Sequence, residues 1–307
     1  MSQVTTVEDV YSAIEEAAGL MKAACSRDKV VPVLTTWEDI LPEAGIILSV
    51  ANGERHAGEL DYTVTVPLEA GDPHARALAN GFIEETDHPV GTLLSEVRER
   101  CSVSEHLVDC SAGNGFKKLY ALFPSDLQGV AKLADIPSMP AAVGENVDFF
   151  TSHGMDDVAM IGVDYGRKTM NLYFDRLPSE SLDAKNIRSV ISEIGLPEPT
   201  EPMVEFAQKA FRVYVTLSWD SSKVDRICYA PGPLRGPTWA DPAALPASIG
   251  PEIERFMTGS PYTHAGERIY MLATMWAPSG EYLKAGSYYQ VSPGLRDRWV
   301  SLYREEL

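Results

Sequence analysis

A closed ten-stranded antiparallel β-barrel ringed by α-helices, an α+β architecture built from five ααββ units, is the fold this sequence predicts. Three observations carry it. Turn-forming residues recur at Asn52-Gly53, Gly113-Asn114-Gly115, Tyr165-Gly166, Ser221-Ser222 and Ser279-Gly280, roughly 55 to 60 residues apart. The segments flanking these turns alternate polar and apolar residues with the period of a strand, and the segments between them carry apolar residues at helical spacing. Ten hairpin-linked strands in an open sheet would leave exposed edges, which closure removes.

The elements follow in order. From Val7 to about Ser26, residues Val10, Ala13, Ile14, Ala17, Leu20 and Met21 fall on one helical face, and Asp28 to Ile40 gives a second helix. Ile46 to Ala51 is β-branched and apolar, and Glu59 to Val66 alternates strictly, so the two form a hairpin about Asn52-Gly53. Further helices are predicted at Pro89 to Arg100, Pro140 to His153, Leu182 to Ile194, Pro202 to Ala210 and Pro251 to Met257, with a closing helix at about Gly294 to Glu306. Pro231 to Pro246, rich in Pro, Gly and Ala, reads as a surface loop because the repeat continues beyond it. Residues 1–307 are therefore read as a single domain.

Composition excludes several classes. The 307 residues are 45% hydrophobic and 23% charged, as in a globular chain with a sizeable core. A formal charge of -18 repels nucleic acid and anionic membrane, so any anion must be bound locally. Cys25, Cys101, Cys110 and Cys228 form no CxxC pair and read as thiols of a reducing cytoplasm. The opening MSQVTTVEDVY has no leader pattern and no apolar run reaches membrane length. A cytoplasmic monomer is expected.

Because strand side chains alternate, each strand divides into two faces. Glu59, Asp61, Thr63 and Thr65 oppose Leu60, Tyr62, Val64 and Val66; Lys118 and Tyr120 oppose Leu119, Ala121 and Phe123. Thr169, Asn171, Tyr173 and Asp175 share a face, as do Arg212, Tyr214, Thr216 and Ser218; Arg226 opposes Ile227, and Lys284, Tyr288 and Gln290 oppose Leu283, Tyr289 and Val291. In an ordinary sheet the polar face is simply solvated. Here the amphipathic helices need the apolar face, so the polar one must line a lumen. That lumen gathers Lys118, Arg212, Arg226 and Lys284 with Asp61, Asn171 and tyrosines, inside an acidic chain. Buried cations require a counter-ion, and a diphosphate supplies one, with Asp61 free to hold a divalent metal between protein and phosphate. Tyr120, Tyr173, Tyr214 and Tyr288 could shield an allylic cation, at roughly 0.5 to 2 kcal/mol each.

Other chemistries lack their signatures. There is no GxxxxGK[ST] loop, no GxSxG elbow, no HExxH helix and no third aspartate after Asp156-Asp157 to make DDxxD. The six histidines are scattered. No organic cofactor is expected.

The stretches ELDYTVTVP, GFKKLYALFP, IPSMP, VDYGRKTMNLYF, VYVTLSWDSSKVDR and YLKAGSYYQ, with EEAAGL and ACSRDK near the start, resemble the soluble aromatic prenyltransferases of the ABBA type, and within them the bacterial dihydroxynaphthalene geranyltransferase group. The resemblance runs from about Val7 to Gln290 and implies the same ten-stranded barrel. It implies transfer of an isoprenyl group, dimethylallyl or geranyl, from its diphosphate to an electron-rich aromatic molecule in secondary metabolism. By position it assigns diphosphate binding to Lys118, Arg167, Asn171, Tyr214, Arg226 and Lys284, with Arg167 in place of a lysine, and a magnesium ion, not required in every relative, to Asp61. Lys118, Arg226, Lys284, Tyr120, Tyr173 and Tyr288 are the expected catalytic residues. Val50, Thr63, Ala159, Met160, Phe211, Arg212 and Tyr288 are the expected acceptor pocket. Ala159 and Arg212 depart from the naphthalene-prenylating member, which has Gln and Ser there. Arg212 points to an acidic acceptor, unless it pairs with a neighbouring acid. Two other activities fit a cationic lumen: a carrier for a hydrophobic anion, and a hydrolase of isoprenoid diphosphates.

Overall fold

The computed structural model describes residues 5–53, 56–123, 125–235 and 249–294. Its sheet runs continuously through ten long strands: β1 (Ile46–Ala51), β2 (Asp61–Pro67), β3 (Glu105–Ser111), β4 (Gly115–Leu122), β6 (Asp157–Asp164), β7 (Thr169–Phe174), β8 (Ala210–Ser218), β9 (Arg226–Pro231), β11 (Ile269–Ala277) and β12 (Gly280–Gln290). Every pairing is antiparallel, and the β1–β12 and β9–β11 ladders close the ring. The two-residue strands β5 (Gln128–Gly129) and β10 (Leu234–Arg235) only extend β6 and β11. All five short hairpin turns therefore lie at one end of the barrel and the helical connections at the other.

The outward faces pack under the helices as the alternation predicts. Leu48, Val64, Leu119, Leu172, Val215, Ile227 and Leu283 are buried in one core with Ile14, Leu34, Leu94, Ile187, Phe206 and Phe256. Helix α1 (Val7–Met21) starts at a capping box between Thr6 and Asp9 and stops where Lys22 adopts φ 53°.

Several boundaries differ from expectation. The second helix, α2 (Arg27–Thr36), gives way to turns from Trp37, short of Ile40. The segment from Pro89 forms a single 3₁₀ turn before α4 (Leu93–Arg100). Pro140 to His153 splits into α6 (Ala141–Glu145) and α7 (Val147–Ser152) at Asn146, whose side-chain Nδ2 donates to Ala142 O at 2.7 Å and Ser222 O at 2.8 Å. Ala210 opens β8 and does not end α9 (Glu201–Ala207). Helix α3 (Pro73–Ala79), capped by Asp72, and α5 (Val130–Ala134) were not foreseen; both are too short for a clear helical period. Helices α8 (Ala184–Glu193) and α10 (Gly250–Gly259) lie within about two residues of expectation. The fifth unit shows one helix, α10, among the described residues; most of the Pro231 to Pro246 loop and nearly all of the closing helix lie outside them.

Candidate active site in the barrel lumen

The hairpin-end half of the lumen is a cavity lined by Lys117, Lys118, Arg167, Arg226 and Lys284, with Asp61, Asp109, Asn171, Thr216, Tyr120, Tyr173, Tyr214 and Tyr282. The ladder register explains the convergence. Asp109 faces Lys118, which faces Asp164; Asn171 faces Thr216, which faces Arg226; Ala51 faces Lys284. Inward positions of eight strands thus form adjacent rows.

Four β-bulges break the alternation: one leaves Tyr289 of β12 as an extra residue between Tyr288 and Gln290, and three more fall at other site residues. In β4 the register passes from Asp109↔Lys118 to Cys110↔Phe116, leaving Lys117 as the extra residue; in β6 the extra residue is Ala159, and in β8 it is Phe211. A bulge turns two consecutive side chains to the same side. Lys117 and Lys118 both line the cavity, the Arg212 guanidinium lies 5.0 Å from the Phe211 ring centroid, and Ala159 and Met160 are both buried without joining the core under the helices. Strict alternation sends Lys117 outward, and this is the main site residue that sequence reading misses.

The cavity is electrostatically crowded. Lys117 Nζ lies 2.5 Å from Asp61 Oδ2, while Lys118 Nζ stands 3.8 Å from Asp164 Oδ2. Burial pulls the Lys118 ammonium down to about 8, and the neighbouring Lys284 and Arg226 add to the fall against Asp109 and Asp164. Burial and Asp109 push the Asp61 carboxyl up, despite Lys117 and Lys284. An anion placed beside Lys118 would favour its charged form, whereas a cation placed beside Asp61 would favour the carboxylate. Asn171 Nδ2 donates to Thr216 Oγ1 at 2.7 Å and leaves its Oδ1 buried without a partner. A half-turn of this amide would let Thr216 donate to the oxygen and present the NH₂ to an anion.

Beside the cations stand the tyrosines. The Tyr173 and Tyr214 rings stack at 4.5 Å, and Tyr120 meets Tyr173 edge-on at 6.0 Å. Tyr120 OH donates to Asp109 Oδ2 at 3.4 Å, and Asp109 also accepts from Thr63 Oγ1 at 3.0 Å. Burial raises all three phenols, Tyr120 further through Asp109 and Tyr214 through Cys228, so they stay neutral and keep electron-rich faces.

The helix-end half differs from the polar lumen expected. Strand β11 contributes Met271 and Ala273, which with Ala230, Ile47 and Ile269 make an apolar lining, continued to the edge of the cationic cavity by Cys228 and Met275. A continuous apolar run such as IYMLATMWA gives no contrast from which to assign a face. Tyr288 lies in this half, its hydroxyl 2.8 Å from Met271 Sδ, and does not border the cationic cavity. Thr63, Ala159, Met160, Phe211 and Arg212 also lie outside that cavity, whereas Val50 borders it while packing in the core under the helices. Gln290 is not a lumen residue in effect: its Nε2 ties to Leu41 O and Ala44 O at 2.7 and 2.8 Å. Arg212 is held by Asp175, Nε to Oδ1 at 2.5 Å and Nη2 to Oδ2 at 2.7 Å. The pairing with a neighbouring acid thus forms, and Arg212 is not a lone cation. Asp109, Ser49, Tyr282 and Met275 join the cavity without having been singled out; splitting EHLVDCS into faces would have found Asp109.

No group of three His, Cys, Asp or Glu able to hold a metal occurs among the described residues. The donor set at Asp61, one carboxylate with Asp109 close by, fits a magnesium ion completed by phosphate oxygens and not a protein-only cage.

The sequence matches the family described as Aromatic prenyltransferase Orf2 over residues 5–293. It is 41% identical over 292 residues to 5,10-dihydrophenazine-1-carboxylate 9-dimethylallyltransferase of Streptomyces anulatus, covering 94% of this chain and 95% of that one. It is 42% identical over 293 residues to flaviolin linalyltransferase of Streptomyces virginiae, covering 94% of each, and 40% identical over 300 residues to a furaquinocin biosynthesis prenyltransferase of Streptomyces sp. (strain KO-3988), covering 97% and 92%. The fold resembles that of 6-dimethylallyltryptophan synthase from Micromonospora olivasterospora, with TM-score 0.56 at 11% identity over 94% of this chain and 99% of that one. No helix among the described residues is long and apolar enough to cross a membrane. By its match over nearly the whole length and these identities, the chain belongs to the aromatic prenyltransferase Orf2 family and is a transferase of prenyl groups.

Proposed function

We propose that the enzyme moves a dimethylallyl or geranyl group from its diphosphate onto an electron-rich aromatic acceptor that carries an acidic group, by electrophilic aromatic substitution. One observation supports this above the rest: in a chain of net charge -18, five cations converge on one cavity and abut a stack of neutral tyrosines. Lys118, Arg226 and Lys284, with Arg167, Asn171 and Tyr214, grip the diphosphate as the allylic C–O bond breaks. Tyr120, Tyr173 and Tyr214 face the carbocation while the acceptor ring forms the new bond and then sheds its proton. One well-placed donor on a developing anion is worth about 100 to 1,000-fold in rate. Magnesium, when bound, supplies further neutralisation of the diphosphate, and Asp61 is the residue that would hold it.

The apolar helix-end half, with Met160, Phe211 and Tyr288, suits the acceptor ring. There the Arg212–Asp175 pair leaves Arg212 Nη1 outside the bidentate contact, an edge that can meet a carboxylate or phenolate. The carboxylate in the name of the Streptomyces anulatus relative supports an acidic acceptor. Action as a cytoplasmic monomer belongs to the same proposal, supported by four free thiols and by only Leu68 and Tyr262 standing exposed as large apolar side chains among the described residues. Incubation of dimethylallyl and geranyl diphosphate with acidic and neutral phenols, with and without EDTA, tests the reading by mass spectrometry. Prenylated acidic phenols are expected; free prenyl alcohol alone, or unreacted donor, contradicts it. An Arg212→Ser variant with unchanged kcat/KM on acidic and neutral acceptors would remove the acidic preference.

A further inference from the structure

The bulge in β4 brings a second lysine into the lumen, and that lysine is already engaged. Lys117 Nζ lies 2.5 Å from Asp61 Oδ2, on the carboxylate that the proposed reading gives to a divalent metal. Asp109 lies close enough to act on both groups, so Lys117 offsets one of the two carboxylate charges at the place where a metal would sit. A cation of charge +2 approaching Asp61 meets an ammonium on the same oxygen and must displace it.

We infer that Lys117 is a built-in counter-cation of Asp61, which keeps divalent metal off the empty enzyme and makes metal entry wait for the diphosphate. The main cavity and a second opening, lined by Asp61, Lys117, Asp164 and Arg167, share this ion pair as part of their common wall. A diphosphate in the cavity would offer Lys117 a stronger anionic partner, and the departure of the ammonium would free the Asp61 oxygen for a metal. Lys117 is then a positioning residue that orders binding, donor before metal. The inference rests on Asp61 being the metal ligand and adds what controls that ligand.

Binding of Mn²⁺ alone, followed by electron paramagnetic resonance of the free ion on the donor-free enzyme, tests it. Wild type binds weakly; Lys117→Met binds at least about ten-fold tighter, since a like charge beside the site has gone. Lys117→Arg, which keeps the charge, stays weak, and Asp61→Asn added to Lys117→Met abolishes the gain. Lys117→Gln serves if the methionine variant does not fold. Equal affinity in wild type and Lys117→Met, or a gain that survives Asp61→Asn, overturns the inference. A parallel arm uses an unreactive geranyl thiolodiphosphate. If wild type and Asp61→Asn then retain Mn²⁺ alike, the metal reading itself fails, whereas a ternary complex lost only in Asp61→Asn keeps that reading whatever Lys117 does.

Discussion

Adding a single methyl group at Gly162 should cost the enzyme its chemistry without touching a charged residue. Gly162 lies on β6 between Tyr120 of β4 and Asn171 of β7. A Cβ built there would stand 2.5 Å from Tyr120 Cε1, 2.7 Å from Cδ1 and 3.3 Å from Cζ. Carbon contacts settle at about 3.5 to 4.0 Å, so the ring must retreat by roughly 1 Å. The Tyr120 OH to Asp109 bond, already 3.4 Å long, does not survive that shift, and the edge contact with Tyr173 opens. Overpacking of this kind costs about 1 to 3 kcal/mol of stability. Loss of one ring face from the carbocation, worth up to about 2 kcal/mol, slows the chemical step by as much as about 30-fold. Rapid-quench turnover of preloaded enzyme reads the chemical step, and donor affinity measured alongside should change little, because the cations are untouched. Combining Gly162→Ala with Tyr120→Ala should recover the lost melting temperature but not the rate. A Gly162→Ala enzyme with wild-type melting and a wild-type single-turnover rate would refute this packing argument.

Three further outcomes follow from the same geometry. Lys284→Ala and Arg226→Ala should fold as wild type by circular dichroism and lose about 100-fold or more in kcat/KM, read by product formation; wild-type rates in both would remove the clamp. Because burial draws Lys118 down to about 8 and the diphosphate needs its charged form, kcat/KM for the donor should be flat below that pH and fall about ten-fold per unit above it. Lys118→Arg, charged throughout, should abolish this descent, and an unaltered profile would exclude Lys118 as its source. Asp175→Ala strips the partner from a half-buried guanidinium and should lower stability by roughly 1 to 3 kcal/mol in a urea melt, with Arg212→Ser in the same background restoring part of it.

The barrel was legible because its strands advertise two faces and its hairpins recur at a fixed interval. Asp61, Lys118, Asn171, Tyr173, Tyr214, Arg226 and Lys284 all fall where alternation sends them, and Arg167, given by resemblance alone, joins them from the β6–β7 turn. Lys117 was hidden because one extra residue in β4 reverses parity, and no local signal in GFKKLYALF announces a bulge before its partner strand is known. The neighbouring pairs Ala159-Met160 and Phe211-Arg212 show the same device. Resemblance named both members of each, although alternation alone can place only one inside. The lining from β11 was illegible for another reason: both faces of that strand are largely apolar, the outer under helices and the inner along the apolar part of the lumen. Arg212 carried both possible fates in the sequence, and only the juxtaposition of Asp175 beyond β7 with β8 decides that it is paired.

The most direct test is a crystal structure of the enzyme with geranyl thiolodiphosphate. The diphosphate is expected at the hairpin end, within hydrogen-bonding reach of Lys118, Arg226 and Lys284, with the geranyl chain against Tyr120, Tyr173 and Tyr214. A diphosphate bound at the helix end, or outside the barrel with those three cations still facing an empty cavity, would contradict it.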